Sequence, residues 1–318
     1  MRVTIVGVGL IGGSIALDLQ KTKVAKEVIG VDNSRKNGLK ALKLGLVDKM
    51  LPLEKALAST DVVILSIPVN AMHSMLPSVL DTVGEKTVVI DTGSTKNQLC
   101  KAVAHHPKRK QFVASHPIAG TENFGPEAAL EGLFRSKTNI ICEKEKSSKH
   151  ALSVAGKIFS ALGMKTVYME PKEHDRHVAY VSHLSHVSSF LLGHTVLDIE
   201  KDEKNIFNLA GSGFSSTVRL AKSSPDMWAP IFEQNLEYLS QALMEYIMHL
   251  QKFHYHLMKR NTGELKTILS RANEIRRVLD GIELKGQKAM SKRQSAKGNS
   301  QRANNVDGKR KVTQPKSL

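Results

Sequence analysis

The chain has 318 residues, of which 41% are hydrophobic and 24% are charged, a composition typical of a globular protein with room for two domains. No apolar run approaches the roughly 20 residues of a membrane span, no secretory signal precedes the first strand, and two cysteines are too few for a disulfide framework, so we expect a cytoplasmic protein. The formal net charge of +16 would suit a polyanion, but no basic patch interleaved with aromatic residues occurs in the body of the chain, and we expect no specific nucleic-acid partner and no membrane contact.

The first predicted element is a short β-branched strand at residues 3–6 that leads into a glycine-rich turn and then a helix. The turn has the spacing G-x-G-x-x-G, which is typical of dinucleotide-binding folds when it stands between a strand and a helix. Gly7 would permit the tight turn, Gly9 would let the backbone approach a pyrophosphate, and Gly12 would let helix and strand pack closely. The phosphates would lie at the helix N-terminus, where free N–H groups favour anions.

A second predicted strand, residues 28–31, ends at Asp32, which lies 20 residues after Gly12. A carboxylate at this spacing accepts hydrogen bonds from a ribose 2′-hydroxyl and repels a 2′-phosphate, which favours NAD over NADP. Arg35 could pair with a 2′-phosphate, so NADP is the lesser alternative. The predicted cofactor-binding residues are Gly7, Gly9, Leu10, Ile11, Gly12, Asp32, Ser66 and Pro68.

Strand and helix patterns continue to alternate, which predicts a parallel sheet covered by helices. The further predicted strands are residues 61–68, 87–91, 111–115, 139–142 and 165–168, and the helices between them include 72–80 and 98–104. Ligands of such sheets bind beyond the carboxyl ends of the strands. Ser94 and His116 follow two successive strand ends, so we predict that both belong to an active site.

From Lys172 to about Leu284 the pattern is helical, and the start of this part is rich in histidine. His183 and His186 would share one helix face a turn apart. A metal site needs a third ligand, and none stands at a clear spacing, so we expect no metal. Trp228 and the apolar residues of the last helix indicate packing or subunit contact rather than chemistry.

A glycine-containing segment at residues 210–221 carries one arginine, Arg219, among small and apolar residues. A buried unpaired charge is costly, so this guanidinium should have a partner. The partner would be either a substrate carboxylate, bound in the bidentate geometry that arginine favours, or an acidic side chain elsewhere in the chain.

The C-terminal residues 285–318 contain ten Lys or Arg and one acid, and so carry +9 of the net charge. They contain no aromatic residue and few aliphatic ones, which predicts a disordered basic extension. We interpret it as a solubilising tail, with weak attraction of polyanions as the alternative. The predicted organisation is a nucleotide-binding domain at 1–169, a helical domain at 170–284 and this tail.

Five motifs in this order resemble the prephenate/arogenate dehydrogenase family, over roughly residues 1–284: GVGLIGGS, DTGSTK, SHPIAGTENFG, HDRHVAYVSHLSH and STVRLAKSSPDMW. The resemblance implies an α/β protein with an N-terminal Rossmann-type parallel-sheet domain and a following all-α dimerisation domain, present as a homodimer. It implies NAD-dependent oxidative decarboxylation of prephenate to 4-hydroxyphenylpyruvate in tyrosine biosynthesis. Conversion of arogenate to tyrosine is the alternative activity.

The resemblance also implies roles for individual residues. His116 matches the histidine that accepts the proton of the ring hydroxyl, and Ser94 matches the serine that orients this hydroxyl. Arg219 would bind a substrate carboxylate, and His174, His183 and His186 would position the substrate. Relatives often carry an ionisable residue where this chain has residues 215–217, Ser-Ser-Thr, so a gating ion pair is not implied there, although Glu122 stands where one partner would.

Two other classes of protein compete with this interpretation. A different β-hydroxyacid-type dehydrogenase usually places a lysine base on a helix of its second domain, and this helix has no central lysine after Lys172. A non-enzymatic NAD-sensing or nucleic-acid-associated protein would depend on the basic tail. Deleting residues 285–318 would abolish polyanion binding in that case and would leave turnover intact if the chain is a dehydrogenase.

Overall fold

A computed structural model describes residues 1–203 and 205–281, so the predicted tail at 285–318 lies outside the described residues. The chain divides into two compact units between Tyr246 and Ile247, within a long helix. The first unit, residues 1–246, contains every strand described below and every predicted site residue. The predicted domain limits after residues 169 and 284 stay predictions.

A mixed sheet forms the centre of the first unit. Its strands are β1 (Arg2–Val6), β2 (Glu27–Val31), β3 (Lys49–Met50), β4 (Val62–Leu65), β5 (Val88–Asp91), β6 (Phe112–Pro117), β7 (Thr138–Cys142) and β8 (Lys165–Met169). The order across the sheet is β3-β2-β1-β4-β5-β6-β7-β8. The first six strands are parallel, β7 is antiparallel to β6, and β8 is parallel to β7. The Rossmann-type parallel sheet is confirmed, whereas the short β3 and the reversal at β7 were not predicted.

The parallel strands contribute alternate residues to two hydrophobic cores, one on each face of the sheet. In β4, Val62 and Ile64 belong to the core that α1 (Leu10–Lys21) and α6 (Lys149–Ala161) cover. Val63 and Leu65 belong to the opposite core, which α4 (Val69–Thr82) and α5 (Asn97–Ala102) cover. Because both faces of β4 are buried, its sequence is a continuous apolar run without alternation.

The remaining elements complete the helical part of the chain. Two short helices, α2 (Arg35–Lys43) and α3 (Leu53–Leu57), connect the first strands, and the helices after β8 are α7 (Pro171–Val178), α8 (Leu184–Glu200), α9 (Ser212–Val218), α10 (Pro225–Gln234), α11 (Leu236–Met258) and α12 (Thr262–Ala272). A π-helical turn at Ala179–His183 joins α7 to α8. The predicted helical character after Lys172 is confirmed within the described residues. Among the described residues, no helix combines the length and hydropathy of a membrane span.

The glycine turn gives a direct test of how closely α1 packs against the sheet. Gly12→Ala should lower the free energy of unfolding by about 1–3 kcal/mol, because its new methyl group would overlap the carbonyl oxygen of Gly7. In the matched control Gly156→Ala, inside α6, the added methyl has no neighbour within 4 Å and should raise stability by about 0.5–1 kcal/mol. Urea unfolding measures both, and equal stability of Gly12→Ala and the unmodified protein would contradict this packing.

Candidate active site

The glycine turn lies between the ends of β1, β2 and β4. Gly7 has φ +91°, and a Cβ there would overlap the carbonyl oxygen of Ser66, the residue that follows β4. The N–H of Gly7 donates to the carbonyl of Val31 at 2.8 Å, which fixes the turn against β2. Only glycine therefore satisfies both the backbone conformation and the contact at this position.

The start of α1 leaves room for a ligand. Gly9 is the N-cap of α1 and supplies no capping side chain, and a Cβ on Gly9 would have no neighbour within 4 Å. The first-turn N–H groups of a helix, here those of Leu10 and Ile11, have no partner within the helix and favour an anion. Open space and free donors at the same place fit the pyrophosphate of a dinucleotide.

Asp32 lies beside this turn, as predicted for a ribose ligand. Its Oδ2 accepts from the N–H of Val8 at 3.2 Å, and its Oδ1 accepts from the N–H of Ser34 at 2.9 Å. The two hydrogen bonds hold the carboxylate at the carboxyl end of β2, next to the glycine turn. Pro68, at the N-cap of α4, and Ser66 follow β4 on the same edge of the sheet.

A buried ion pair organises the segment that carries Ser94. Lys96 and Asp91 are both completely inaccessible to solvent, and Nζ of Lys96 donates to Oδ2 of Asp91. The same carboxylate accepts from the N–H of Gly93 at 3.0 Å and from the N–H of Ser115 at 2.8 Å. Asp91 thus holds both the turn at residues 91–97, in which Ser94 lies, and the strand residue that precedes His116.

His116 occupies β6, opposite Ile140 of the antiparallel strand β7. The predicted strand ended at Ser115, but pairing with β7 extends it to Pro117. The imidazole keeps partial access to solvent in a neighbourhood that is otherwise buried. Burial, and then the nearby His174, Lys96 and His183, hold the pKa of His116 well below its usual value near 6.5, so the ring is neutral at physiological pH.

His174 contacts His116 directly. Nδ1 of His116 lies 2.8 Å from Nε2 of His174, and Nδ1 of His174 lies 2.7 Å from Oδ1 of Asp175. His174 and Asp175 are fully buried on α7. Burial lowers the pKa of His174, although Asp175 opposes this effect. The prediction that His174 lies with His116 in one site therefore agrees with the geometry.

His183 is completely buried. Nδ2 of Asn235 donates to the carbonyl of Asp175 at 2.7 Å and lies 3.1 Å from Nδ1 of His183. Because Nδ2 carries protons, Nδ1 of His183 is the acceptor, and the proton of this neutral ring is on Nε2. Within the described residues, Nε2 of His183 is buried and has no hydrogen-bond partner.

His186 lies against Trp228, which extends the cluster of histidines. The two rings stack with centroids 3.5 Å apart, and Trp228 makes an edge contact with His183 at 5.9 Å. Burial lowers the pKa of His186, and the charge of Arg219 lowers it further. The sequence assigned Trp228 to packing or subunit contact, and the structure places it in contact with two predicted substrate-binding residues.

Arg219 corrects one expectation from the sequence. Its side chain is 49% exposed, so the prediction of a buried arginine is wrong. Its Nη1 donates to Oε2 of Glu122 at 2.6 Å, which makes the acidic partner within the chain the one observed. Glu122 follows β6 in the loop after His116, so the ion pair joins this loop to the segment between α9 and α10.

Several residues of the site were not predicted to be functional. Lys96 belongs to a quoted motif but received no role, and Asp175, Asn235 and Asp91 were passed over. The position of Asp175 directly after His174, at a histidine-rich helix start, could have indicated a functional role. The sequence does not reveal its hydrogen bonds, because their donors lie 78 and 79 positions earlier in the chain. In the described part of the chain, no group of three or more His, Cys, Asp or Glu side chains could hold a metal ion. The expectation that no metal is needed stays a prediction.

These features define a class of protein: a doubly wound sheet with a dinucleotide cradle and a neutral histidine at the same edge of the sheet is the arrangement of a nicotinamide-dependent dehydrogenase. Comparison with known proteins gives the family. The model of the prephenate dehydrogenase nucleotide-binding domain matches residues 15–168, and that of the prephenate dehydrogenase dimerization domain matches residues 170–271.

Individual relatives agree with these matches. A prephenate dehydrogenase of Bacillus subtilis (strain 168) is 30% identical over 286 residues, which cover 89% of this chain and 76% of the relative. The structure of prephenate dehydrogenase from A. aeolicus with hydroxyphenyl propionate and NAD+ superposes with a TM-score of 0.79 and 31% identity, covering 87% of this chain and 97% of that one. A Synechocystis arogenate dehydrogenase is 26% identical, with a TM-score of 0.68 over 87% of this chain and 99% of that one. The chain belongs to the prephenate dehydrogenase family.

The buried neutral histidines should make the protein less stable in acid. Burial lowers the pKa of His183 from 6.5 to about 4, so between these values the unfolded chain binds a proton that the folded protein excludes. The contribution of His183 is therefore complete above about pH 6.5, and roughly 3 kcal/mol is lost as the pH falls to about 4.

Urea unfolding between about pH 4 and 7 measures this effect in matched variants. His183→Gln should reduce the pH dependence of the free energy of unfolding, by up to about 1.4 kcal/mol per pH unit. The control His105→Gln changes an exposed histidine and should leave the dependence as it is. A pH dependence in His183→Gln equal to that of the unmodified protein would contradict a neutral, buried His183.

Proposed function

We propose that the protein is an NAD-dependent prephenate dehydrogenase, which converts prephenate to 4-hydroxyphenylpyruvate, CO2 and NADH in tyrosine biosynthesis. The observation that carries this proposal is the neutral imidazole of His116, held by His174 in a member of this family. The A. aeolicus relative, whose structure contains hydroxyphenyl propionate and NAD+, supports the substrate class and the cofactor.

The cradle around Gly9 fits NAD. Leu10 and Ile11, at the start of α1, would donate to the pyrophosphate, and Asp32 would accept from the adenosine ribose. Ser66 and Pro68 would flank the cofactor at the end of β4. When bound, NAD+ supplies a hydride acceptor. Preference over NADP follows from the charge of Asp32, which repels a 2′-phosphate.

The chemistry requires a group that accepts one proton. Oxidation of the ring C–OH to a carbonyl releases a hydride and a proton, and we assign the proton to His116. Loss of the ring carboxylate as CO2 leaves the electron pair of the broken C–C bond on the ring. The ring becomes aromatic, and the former carbonyl oxygen becomes a phenolate. The phenolate takes up the proton that His116 holds and becomes the phenol, so turnover consumes and releases no net proton. Ser94, in the turn beside His116, would orient the ring hydroxyl.

Substrate carboxylates require cationic or donor groups. Arg219 uses Nη1 for Glu122, which leaves other N–H groups of the guanidinium for a substrate carboxylate. The charge of Arg219 lowers the pKa of His186, so these two side chains would act on the same end of the substrate. His174 and His183 stay predicted substrate-positioning residues. A lysine base, expected of the competing β-hydroxyacid-type enzymes, is not needed in this scheme.

Two relatives favour prephenate over arogenate as the substrate. The Bacillus subtilis relative, at 30% identity, and the A. aeolicus relative, at 31% identity, are both prephenate dehydrogenases, and the Synechocystis arogenate dehydrogenase is 26% identical. Specificity between the two substrates is a difference in kcat/KM, so it can be measured directly.

Association and location complete the proposal. We propose a homodimer, because the family model of residues 170–271 is a dimerization domain and α8 exposes Leu191, Leu197 and Ile199, each by half or more of its surface. A cytoplasmic location is supported by Cys100 and Cys142, which are buried free thiols.

Replacement of the proposed base tests the function directly. His116→Asn should lower kcat for NADH formation from prephenate by about 10²–10⁴-fold, because an amide cannot accept the proton. His105→Asn, at an exposed histidine, is the matched control and should keep full activity. Absorbance of NADH measures both variants, and normal turnover by His116→Asn would remove this residue from the mechanism.

Substrate preference is tested by comparing kcat/KM for prephenate and arogenate. The ratio should favour prephenate by about tenfold or more, a free-energy difference of about 1.4 kcal/mol in transition-state binding. A ratio that favours arogenate would contradict the assignment of prephenate.

A further inference from the structure

A continuous chain of hydrogen bonds runs from the proposed base to a buried carboxylate. His116 contacts His174 through Nδ1 and Nε2 at 2.8 Å, and His174 contacts Asp175 through Nδ1 and Oδ1 at 2.7 Å. His174 is completely buried and Asp175 is 1% exposed, so bulk water does not compete for these atoms. The positions of the protons in this chain follow from the partners of Asp175.

Asp175 acts only as an acceptor. Oδ1 also accepts from the N–H of Lys96 at 2.8 Å, and Oδ2 accepts from the N–H of Asn97 at 2.8 Å. Two backbone donors, one on each oxygen, are the environment of an ionised carboxylate, which has no proton to give. The proton between Asp175 and His174 therefore belongs to Nδ1 of His174.

Electrostatics restricts His174 to this one proton. Burial lowers the pKa of His174 below 6.5, and the cation of Lys96 acts in the same direction, while Asp175 and Asp91 oppose them. A neutral His174 with a proton on Nδ1 has a lone pair on Nε2. The contact at 2.8 Å then requires a proton on Nδ1 of His116, and the lone pair of neutral His116 is left on Nε2.

We propose that Asp175 is a positioning residue that sets the tautomers of both imidazoles, so that Nε2 of His116 is the atom that accepts the substrate proton. This inference rests on the proposed function for its catalytic meaning, but the tautomers themselves do not depend on the substrate. The carboxylate also stabilises the imidazolium that forms when Nε2 gains a proton, as in the catalytic triad of serine proteases.

The carboxylate of Asp175, which sets the tautomers, also holds two helices together. The two backbone donors are the N–H groups of Asn97, the first residue of α5, and of Lys96, the residue before it. Asp175, on α7, therefore caps the N-terminus of α5. Lys96 connects Asp175 to Asp91: its backbone N–H donates to Asp175 and its side chain donates to Asp91. Asp175 thus holds α7, which carries His174, against the turn that carries Ser94.

Removal of the carboxylate should release the tautomers. In Asp175→Ala, Nδ1–H of His174 loses its acceptor, so nothing fixes the proton of His174 on Nδ1. His174 can then carry its proton on Nε2 and donate to Nδ1 of His116, which moves the proton of His116 to Nε2 and removes the base. We expect kcat to fall by about 10²–10⁴-fold, the order of loss seen when the aspartate of a serine protease triad is replaced.

The test is long-range ¹H–¹⁵N NMR of the full protein labelled with [¹⁵N]histidine, with no substrate present. We expect the Nδ1–H tautomer for His116 and His174 in the unmodified protein, and a population of the Nε2–H tautomer for both in Asp175→Ala. His116→Asn and His174→Gln assign the signals. An Nε2–H tautomer of His116 in the unmodified protein, or unchanged tautomers in Asp175→Ala, would overturn the inference.

Kinetic controls separate a positioning role from a loss of structure. Asp18→Ala removes another buried aspartate that accepts from a backbone N–H, that of Gly132 at 2.8 Å, and should keep both the tautomers and kcat. Asp175→Ala should cause little further loss in a His116→Asn background, because residues that act as a unit are not additive. A full additional loss in that background would overturn the positioning role.

The outcomes distinguish this inference from the proposed function. The expected tautomers in a protein that forms no NADH from prephenate or arogenate would refute the proposed function and retain the tautomer assignment. Turnover of prephenate by a protein whose His116 carries its proton on Nε2 would refute the tautomer assignment and retain the proposed function.

Discussion

The site depends on the buried ion pair between Asp91 and Lys96. Removing two charges from water carries a large desolvation cost, which is recovered only when every polar atom has a partner. Asp91 meets this condition, because it accepts from Lys96 and from two backbone N–H groups. The pair fixes the turn at residues 91–97, and with it the position of Ser94 and the N–H groups that bind Asp175. Loss of either partner would leave a buried charge uncompensated at the centre of the site.

The second constraint is electrostatic and acts on His116, the proposed base. A general base must be neutral in order to accept a proton, and it must have a defined lone pair. Burial, His174 and the cation of Lys96 keep His116 neutral. In the proposed mechanism, the carboxylate of Asp175, one imidazole further away, would stabilise His116 once it has accepted the substrate proton.

Local patterns in the sequence were sufficient for the sheet and for part of the site. The glycine turn could be predicted because Gly7 and Gly12 are required by contacts within a few residues, and His116 could be predicted because strand ends at one sheet edge converge. Asp175 could not be given a role, since its partners at residues 96 and 97 are brought to it only by the fold. The strand β7 was predicted, but its antiparallel direction was not, because a buried apolar strand has the same sequence pattern in both directions.

The exposure of charged side chains was the least predictable property. Arg219 looked buried because its neighbours in sequence are small and apolar, yet α9 and the turn after it are largely exposed in the chain, and the guanidinium reaches Glu122. Conversely, Lys96 received no role from the sequence, and the structure shows it completely buried. In both cases the exposure of a cation is decided by which loop packs over it, and this information is absent from the local sequence.

The central claim is that a neutral His116 accepts the substrate proton, and the pH dependence of kcat/KM tests it most directly. Protonation of His116 is opposed by burial and by His174, Lys96 and His183, so kcat/KM should stay constant as the pH falls from about 8 to 6.5. The acid limb should have a midpoint well below 6.5, with full recovery on return to pH 8. An acid limb with its midpoint at or above 6.5, assigned to His116 by its tautomer signals, would contradict the account.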